Sequence, residues 1–289
     1  MLKSITNYNI FIPIDSKFPF FLLKLHEPSV YYNQRIQIHR DSWKSCNLLP
    51  SAHFIKNIGP CNDVKTENEV ILLEHDVITN PFSSKIIASM PIPNEDSNVN
   101  VTEEDLKVRM DLRHITVCSI DPPGCKDIDD ALHCRVLQNG NFEIGCHIAD
   151  VSHYVKHGSD VDKIAARSCN TIYLVHRRTD MLPKVLTENL CSLVEGKDRF
   201  AFSVIWEVDK NTLEILEDKV VYTKSIIRSR KAFTYGMAQE LKDDLTQKGE
   251  LAESVRGLMK IAKKLKQDRM EKGALVLASN EVNLNFLTF

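Results

Sequence analysis

The first sixty residues alternate short β-rich runs with turn-forming residues, most of them proline and serine. Several short strands at this spacing favour a small barrel or sandwich. The predicted strands are Asn9–Ile14, Phe18–Leu25, Arg35–Arg40 and His53–Ile58. The period then becomes helical. Thr66 and Glu69 match a capping box ahead of an apolar run, which predicts a helix over Thr66–Val77 that closes this small domain.

A polar, proline-bearing stretch between Pro91 and Asn100 interrupts the pattern. Such a stretch is typical of a linker. The sequence therefore predicts a small domain over residues 1–90, a linker over 91–110 and a second domain over 111–289.

The second region mixes strands and helices. β-Rich runs predict strands over Ile115–Ile120, Ala131–Leu137, Phe142–Ala149, Arg199–Val208, Leu213–Thr223 and Val282–Phe289. Asn139-Gly140 favours a type I′ hairpin turn. Ser159 is the expected cap of a helix through Arg167, and apolar residues at helical spacing predict another helix from Glu250 onward. Because no strict strand–helix–strand rhythm is present, the fold class is α+β.

The composition describes an ordinary globular protein. The chain has 289 residues, 43% of them hydrophobic, and 37 Lys and Arg against 39 Asp and Glu give a net charge of −2. This balance excludes disorder, collagen and coiled coil. No apolar run approaches the roughly 20 residues of a membrane span, and no signal-peptide layout is present. We expect an intracellular protein without a membrane partner.

The near-neutral charge is an average over opposed regions. Residues 222–272 hold 13 Lys and Arg against 7 Asp and Glu. Within this segment, the run containing Arg228, Arg230 and Lys231 is the preferred candidate for phosphate contacts, while the lysines after residue 259 are more typical of a solvated helix face. The eight cysteines lack Cys-x-x-Cys spacing, which favours reduced thiols over disulfides or zinc.

The most closely spaced candidate catalytic or metal-binding side chains are four carboxylates around a Pro-Pro-Gly turn: Asp121, Asp127, Asp129 and Asp130. Two like charges about 4 Å apart repel by about 4 kcal/mol at an effective dielectric near 20. Folding such a cluster inward therefore needs cations, and Mg²⁺ suits carboxylates combined with a substrate phosphate. A solvated acidic loop is the alternative, although apolar Ile128 and its neighbours interleave with the acids. An EF-hand fails, since the required glycine and glutamate are absent.

The segment Ser119–Leu132 and the motif Arg109–Arg113 closely resemble the catalytic domain of the ribonuclease II (RNB) family. Further stretches that resemble it are Glu67–Val77, Gly145–Val155, Tyr173-Leu174, Asp180–Pro183, Leu190–Leu193 and Arg199–Ser203. The residues in these motifs are most similar to those of the eukaryotic branch, which contains the exosome catalytic exoribonuclease subunit. The resemblance covers most of the chain.

The resemblance implies an Mg²⁺-dependent, hydrolytic 3′-to-5′ exoribonuclease that releases nucleoside monophosphates. Asp121, Asp127, Asp129 and Asp130 match the family's metal-binding aspartates, with Asp129 the most sensitive to loss. Tyr173 matches an aromatic that packs on bases near the 3′ end. The N-terminal region is similar to the OB/cold-shock-like domain that precedes the catalytic domain.

The expected partners are single-stranded RNA and the RNA exosome core, with roles in RNA decay and rRNA processing in the nucleus, nucleolus or cytoplasm. Relative to the family, the chain is expected to be partial. An arginine that contacts the scissile phosphate lies in a later part of the family's catalytic domain, which this chain does not contain. The alternative function is therefore a catalytically silent module that binds RNA or docks on the exosome.

Several other residues suit a structural role better than a functional one. His147, Asp150 and His153 are spaced by threes, but this segment is typical of a strand running into a turn, where such spacing alternates faces. A structural role is therefore favoured over zinc. Trp43 and Trp206 lie in β-rich runs and are expected in the core.

Overall fold

The computed structural model describes residues 8–92, 98–174 and 177–277. The chain divides into two compact units, one ending at Asn80 and the other beginning at Pro81. Within these three ranges, no helix is both long and apolar enough to cross a lipid bilayer.

The first unit is a four-stranded sheet closed by a helix. It contains β1 (Asn9–Phe11), β2 (Phe21–Leu23), β3 (Gln34–Ser42), β4 (Ser51–Pro60) and α1 (Val64–Glu74), with a 3-10 turn at Pro28–Tyr31. The strand order is β1-β2-β4-β3. Three register shifts in the β3–β4 pair bend the sheet, as bulges do. Phe21, Leu23 and Ala52 form the core, and the expected small β domain is confirmed.

The helix α1 begins earlier than the sequence pattern predicts. Asp63 is its cap, because Asp63 Oδ2 accepts hydrogen bonds from the Thr66 amide at 2.9 Å and the Thr66 hydroxyl at 3.0 Å. Thr66 is buried, next to Gly59, where an added Cβ would lie 2.3 Å from the Thr66 hydroxyl oxygen. The predicted capping box at Thr66 is wrong, because Asp63 caps the helix three residues earlier and Thr66 lies inside the first turn.

Among the described residues, the second unit contains six strands in one mixed sheet, a separate pair of strands and five α-helices. Its elements are α2 (Ser84–Ser89), α3 (Glu103–Val108), β5 (Met110–Asp111), β6 (Val117–Asp121), β7 (Asp130–Val136), β8 (Phe142–Ala149), a 3-10 turn at Val151–His153, α4 (Asp160–Ser168), β9 (Ile172–Leu174), β10 (Arg177–Thr179), a π-helix at Val185–Leu190, β11 (Asp198–Val208), β12 (Ile215–Thr234), α5 (Tyr235–Asp243) and α6 (Glu250–Glu271).

The six-stranded sheet has the order β11-β8-β7-β6-β12-β5, and β11 also pairs with β12. Strand β12 is long because its first half pairs antiparallel with β11, while its second half pairs parallel with β6. The antiparallel hairpin β9–β10 stands apart from this sheet. The combination of parallel and antiparallel pairs with flanking helices confirms the mixed α+β class.

Opposite faces of β7 pack into different cores. Ala131 belongs to the largest core cluster, together with Val117, Ala201 and Ile227. Cys134 faces α6, because residues three apart on a strand point to opposite sides. A Cβ added at Gly257 of α6 would lie 2.4 Å from Cys134 Sγ, so only glycine permits this close approach.

The second unit begins at Pro81, inside the region predicted as the small domain, and part of the predicted linker packs into it as well. Ile86 of α2 is buried with Val161 and Leu182. Val99 is buried against Phe200 and Ile226. Helix α3 occupies the later part of the predicted linker, while residues 93–97 lie outside the described ranges, as does the predicted strand Val282–Phe289. The apolar residues near 86 and 99 explain the difference, since each contributes to a core.

Candidate active site

The four aspartates lie in and beside the turn that joins β6 to β7, at one end of these two central strands. Asp121 is the last residue of β6, and Asp130 is the first residue of β7. The turn between them passes through Gly124, whose φ of 81° is a conformation that glycine adopts readily. The fold therefore brings the predicted cluster together along the chain, at the point where two neighbouring strands meet.

A buried side chain and hydrogen bonds from a neighbouring segment hold this turn in place, unlike a solvated acidic loop. Ile128, between the aspartates, is 4% exposed and belongs to the main core. The Ser192 hydroxyl accepts a hydrogen bond from the Ile128 amide at 2.9 Å and donates one to the Lys126 carbonyl at 2.7 Å. The Leu193 amide donates to the Ile128 carbonyl at 2.9 Å. The solvated-loop alternative is therefore disfavoured by geometry.

The carboxylates of the turn influence one another. Burial raises the pKa of Asp121, the Ser119 side chain partly offsets this, and the nearby carboxylates of Asp130 and Asp127 raise the pKa further. The pKa of Asp129 is also raised, first by its partly desolvated position and then by Asp127 and the other two carboxylates. Asp121 Oδ2 is buried and has no hydrogen-bond partner among the described residues. These effects indicate a site that lacks sufficient positive charge.

Asp127 is held by the hairpin β9–β10. The Tyr173 hydroxyl donates to Asp127 Oδ2 at 3.2 Å. Arg178 Nη1 lies 3.1 Å from the same oxygen. Tyr173 and Arg178 are direct cross-strand partners in the hairpin, so both side chains project from one face of it. Tyr173, predicted from the sequence, is thus brought to the carboxylates and remains 67% exposed.

The sequence patterns did not indicate Arg178 as a residue of the site. Its guanidinium also contacts Asp180 at 2.5 Å and Glu188 of the π-helix at 2.8 Å. Its position two residues before the Asp180–Pro183 motif, opposite Tyr173, is the signal that could have found it. A second missed residue is Tyr235, which is 60% exposed and follows Thr234, the residue paired with Asp121 in the sheet.

The basic run on β12 lies away from the carboxylates. Thr234 pairs with Asp121, so Arg228 is displaced by six residues, or about 20 Å at strand rise. Arg228 Nε lies 2.6 Å from Asp198, Lys231 Nζ lies 3.1 Å from Glu195, and Arg230 donates to the backbone carbonyl of Arg113 at 3.1 Å. The structure does not bring this run to the aspartate turn.

The histidine candidates are structural. His147 is fully buried, where Nε2 lies 2.8 Å from His133 Nδ1 and Nδ1 lies 2.7 Å from the Ser203 hydroxyl. Asp150 pairs with buried Arg109 at 2.7 Å. All eight cysteines are unpaired. Trp206 packs at the α6 core, but the core prediction for Trp43 is wrong, because that side chain is 55% exposed and its indole donates to the Asn47 carbonyl at 3.1 Å.

A divalent cation fits the donor chemistry of the turn. Carboxylate oxygens are the ligands that Mg²⁺ prefers, and the unpartnered Asp121 Oδ2 together with the raised pKa values of Asp121 and Asp129 calls for a positive charge. Across the described ranges, no group of three or more His, Cys, Asp or Glu side chains already converges as a ligand set. Part of the reason is that Asp127 is directed toward Arg178 and Tyr173.

A small OB-type sheet followed by a mixed sheet with four aspartates at one end of its central strands is the arrangement of a protein of ribonuclease II type. The model of the RNB domain matches residues 109–287, and the model of the Dis3-like cold-shock domain 2 matches residues 8–76. The chain belongs to the RNB-domain family.

The curated relatives include exosome exonucleases. The chain is 45% identical over 278 residues to the exosome complex exonuclease RRP44 of Mus musculus, an alignment that covers 96% of this chain and 28% of the mouse protein. It is 43% identical to the exosome complex exonuclease dis3 of Schizosaccharomyces pombe, over 94% of this chain and 28% of that protein. The chain thus spans about 28% of the length of these homologues.

Solved structures share the fold at low identity. Mycoplasma genitalium RNase R in complex with ribose-methylated single-stranded RNA gives a TM-score of 0.76 at 21% identity, covering 95% of this chain and 44% of that chain. Yeast Ssd1, a pseudonuclease, gives a TM-score of 0.74 at 22% identity, covering 92% and 33%. Since a nuclease and a pseudonuclease match equally well, the fold alone does not separate the two functions.

Proposed function

We propose that the chain provides the metal-binding turn of a 3′-to-5′ exoribonuclease that hydrolyses single-stranded RNA to nucleoside monophosphates. The observation that supports this most directly is the contact between Tyr173 and Asp127. An exposed aromatic side chain reaches the carboxylate turn from 46 residues away and touches it through a hydrogen bond. An aromatic platform beside a cation site suits the 3′ end of any RNA sequence.

Asp121, Asp127, Asp129 and Asp130 would hold Mg²⁺, which when bound polarises a phosphodiester and activates water. Tyr173 seats the terminal base, and exposed Tyr235 offers a second aromatic surface beside Asp121. Arg228, Arg230 and Lys231 remain candidate phosphate contacts at a distance from the turn. We assign RNA binding to the first unit as well, and we place the whole protein with the exosome core, in the nucleus, the nucleolus or the cytoplasm.

The test uses the 289-residue chain with an unstructured RNA labelled at its 5′ end. We expect a ladder of products shortened from the 3′ end in Mg²⁺ and none in EDTA. Asp129→Asn should lower the rate by about 100-fold or more, because the cation site loses one of its charges.

Asp218→Asn is the matched control, since Asp218 is an exposed aspartate on β12 of the same unit. The control should cleave as the unchanged chain does. Equal cleavage by Asp129→Asn and Asp218→Asn would contradict the proposed role of the turn.

A second candidate function is RNA binding without turnover. It is favoured by one observation, which is that the described side chains include no assembled ligand set for a metal. The same RNA, at protein excess in Mg²⁺, would then be retained in a complex without shortening. Product formation by the 289-residue chain would exclude this candidate.

A further inference from the structure

Arg178 uses all three nitrogens of its guanidinium on three different carboxylates. Nη1 lies 3.1 Å from Asp127 Oδ2, Nε lies 2.5 Å from Asp180 Oδ1, and Nη2 lies 2.8 Å from Glu188 Oε1. We infer that Arg178 is a built-in counter-ion with which a divalent cation must compete for Asp127, so that cation binding also alters the contact of Tyr173. The inference rests on the proposed cation site at the aspartate turn.

The competition follows from the number of lone pairs on one oxygen atom. Asp127 Oδ2 receives both the Tyr173 hydroxyl, at 3.2 Å, and Arg178 Nη1, at 3.1 Å. A carboxylate oxygen offers about two acceptor positions, and these two donors fill them. A cation that coordinates Oδ2 therefore displaces at least one donor.

Charge adds to this steric argument. The three carboxylates around Arg178 are at most 27% exposed in their side chains, so water screens them incompletely. A guanidinium cannot lose its proton in a protein, and it therefore repels an incoming cation at all accessible pH values. Asp180 and Glu188 keep Arg178 in place after Asp127 turns away, because each holds a different nitrogen.

The hairpin transmits the change to Tyr173. Tyr173 and Arg178 face each other directly across β9 and β10. Both donate to the same oxygen of Asp127, so rotation of that carboxylate toward a cation alters both contacts. The aromatic ring is then free to take a base at the moment when the cation is present. Arg178 is accordingly a positioning residue that acts through Asp127.

The experiment measures cation binding by the 289-residue chain, using Mn²⁺ and its electron paramagnetic resonance signal. We expect Arg178→Gln to lower the dissociation constant of Mn²⁺ about tenfold, the order expected when the cation no longer displaces a charge-assisted hydrogen bond on Asp127 Oδ2. Asp127→Asn should weaken binding. In the Asp127→Asn background, the effect of Arg178→Gln should fall below about threefold, because the shared oxygen is no longer charged.

Two matched variants control for charge and shape. Lys184→Gln removes a unit charge from a residue that contacts Glu188 at 3.6 Å, and it should change the dissociation constant less than about threefold. Arg178→Lys keeps the charge and should stay within the same range. Circular dichroism selects the folded variants.

The link to Tyr173 is read by fluorine NMR of 3-fluorotyrosine-labelled chain, with the signal assigned by Tyr173→Phe. Saturating Mg²⁺ should shift this signal in the unchanged chain. The inference is overturned by an unchanged or weaker Mn²⁺ affinity in Arg178→Gln, by a full effect in the Asp127→Asn background, by absence of Mn²⁺ binding, or by an unshifted Tyr173 signal. Because no RNA is cleaved, failure of the exonuclease proposal is a separate result.

Discussion

Two buried histidines cross the central sheet in one hydrogen-bonded line. Glu143 Oε1 lies 3.2 Å from His133 Nε2, and His133 Nδ1 lies 2.8 Å from His147 Nε2. His147 Nδ1 lies 2.7 Å from the Ser203 hydroxyl, which lies 2.6 Å from the Ser225 hydroxyl. Every group is satisfied if both rings are neutral and each donates toward Glu143. A proton added to His147 would break this order.

The first prediction concerns pH. Burial and the neighbouring His133 lower the pKa of His147 to about 3, whereas the unfolded pKa is about 6.5. The unfolded chain therefore binds more protons between pH 6.5 and 3, and the stability due to His147 is lost as the pH falls through this window. From pH 7 to 5 the expected loss is about 2 kcal/mol. Denaturant unfolding of a Trp43→Phe variant, followed by Trp206 fluorescence, measures it.

His147→Gln should flatten this pH dependence, because its side chain does not titrate. His157→Gln is the matched control, since that ring is fully exposed. An identical slope in the His147→Gln variant and the unchanged chain would refute the argument.

At the scale of elements, α6 and β7 approach closely enough to need a glycine. Gly257 faces Cys134 at the contact, while the Ser254 hydroxyl accepts a hydrogen bond from the Cys134 amide at 2.9 Å. Buried Val255 and Ile261 lie on the same helix. The helix is therefore positioned by one close contact and one specific hydrogen bond, in addition to apolar burial.

The second prediction follows from that contact. Gly257→Ala should raise helix propensity by about 1 kcal/mol, yet its Cβ would lie 2.4 Å from Cys134 Sγ. Overpacking typically costs about 1–3 kcal/mol, so we expect a net loss of about 1 kcal/mol of unfolding free energy. Cys134→Ala combined with Gly257→Ala should recover the loss, because the sulfur that clashes is gone. A double variant as unstable as Gly257→Ala would point to a different cause.

Local patterns predicted the elements whose partners are near in sequence. The strand Phe142–Ala149 and the helix from Glu250 are as expected. A hairpin also forms at Asn139-Gly140, but the predicted type I′ turn is wrong, because that turn requires a positive φ at both residues and only Gly140 has one, at 84°. Strand β12 was expected to end at Thr223 but continues to Thr234, because its second half pairs with β6, more than a hundred residues earlier. Periodicity carries no signal for such a partner.

The residues of the candidate site also differ in whether the sequence predicts them. The four aspartates form one motif and could be found from the sequence. Tyr173 came only from a family resemblance, and its distance of 46 residues from Asp127 gives no local signal. Arg178 depends on the register of a hairpin whose contact with the turn is tertiary. The basic run was overvalued, because the sequence does not show that Arg228 and Lys231 already have acidic partners.

For the whole molecule, the net charge conceals extensive internal pairing. Arg113 and Arg228 share Asp198, and Lys224 lies 3.3 Å from Asp150. These pairs leave fewer cations for RNA than the sequence count indicates. Arg230 differs from these paired residues, since within the described ranges its guanidinium donates a hydrogen bond to a neutral backbone carbonyl and its side chain remains exposed.

The third prediction concerns the salt dependence of RNA affinity. Each phosphate neutralised on a single strand contributes about −0.7 to the slope of log K against log salt concentration. Arg230→Gln should reduce the slope by about that amount. Arg228→Gln should change it much less, since Asp198 already offsets the charge. Equal slopes for both variants would remove Arg230 from the phosphate contacts.

The parallel pairing of β6 with β12 has a consequence for biosynthesis. Asp121 and Thr234 are neighbours in the sheet, yet 112 residues are translated between them. At a translation rate of about 5–20 residues per second, the part of β12 that pairs with β6 is synthesised on the order of ten seconds after β6. During that interval an unpaired edge and four uncompensated carboxylates stand together. Since like charges discourage edge-to-edge association, we expect the negative charge of the turn to reduce aggregation of nascent chains during this interval.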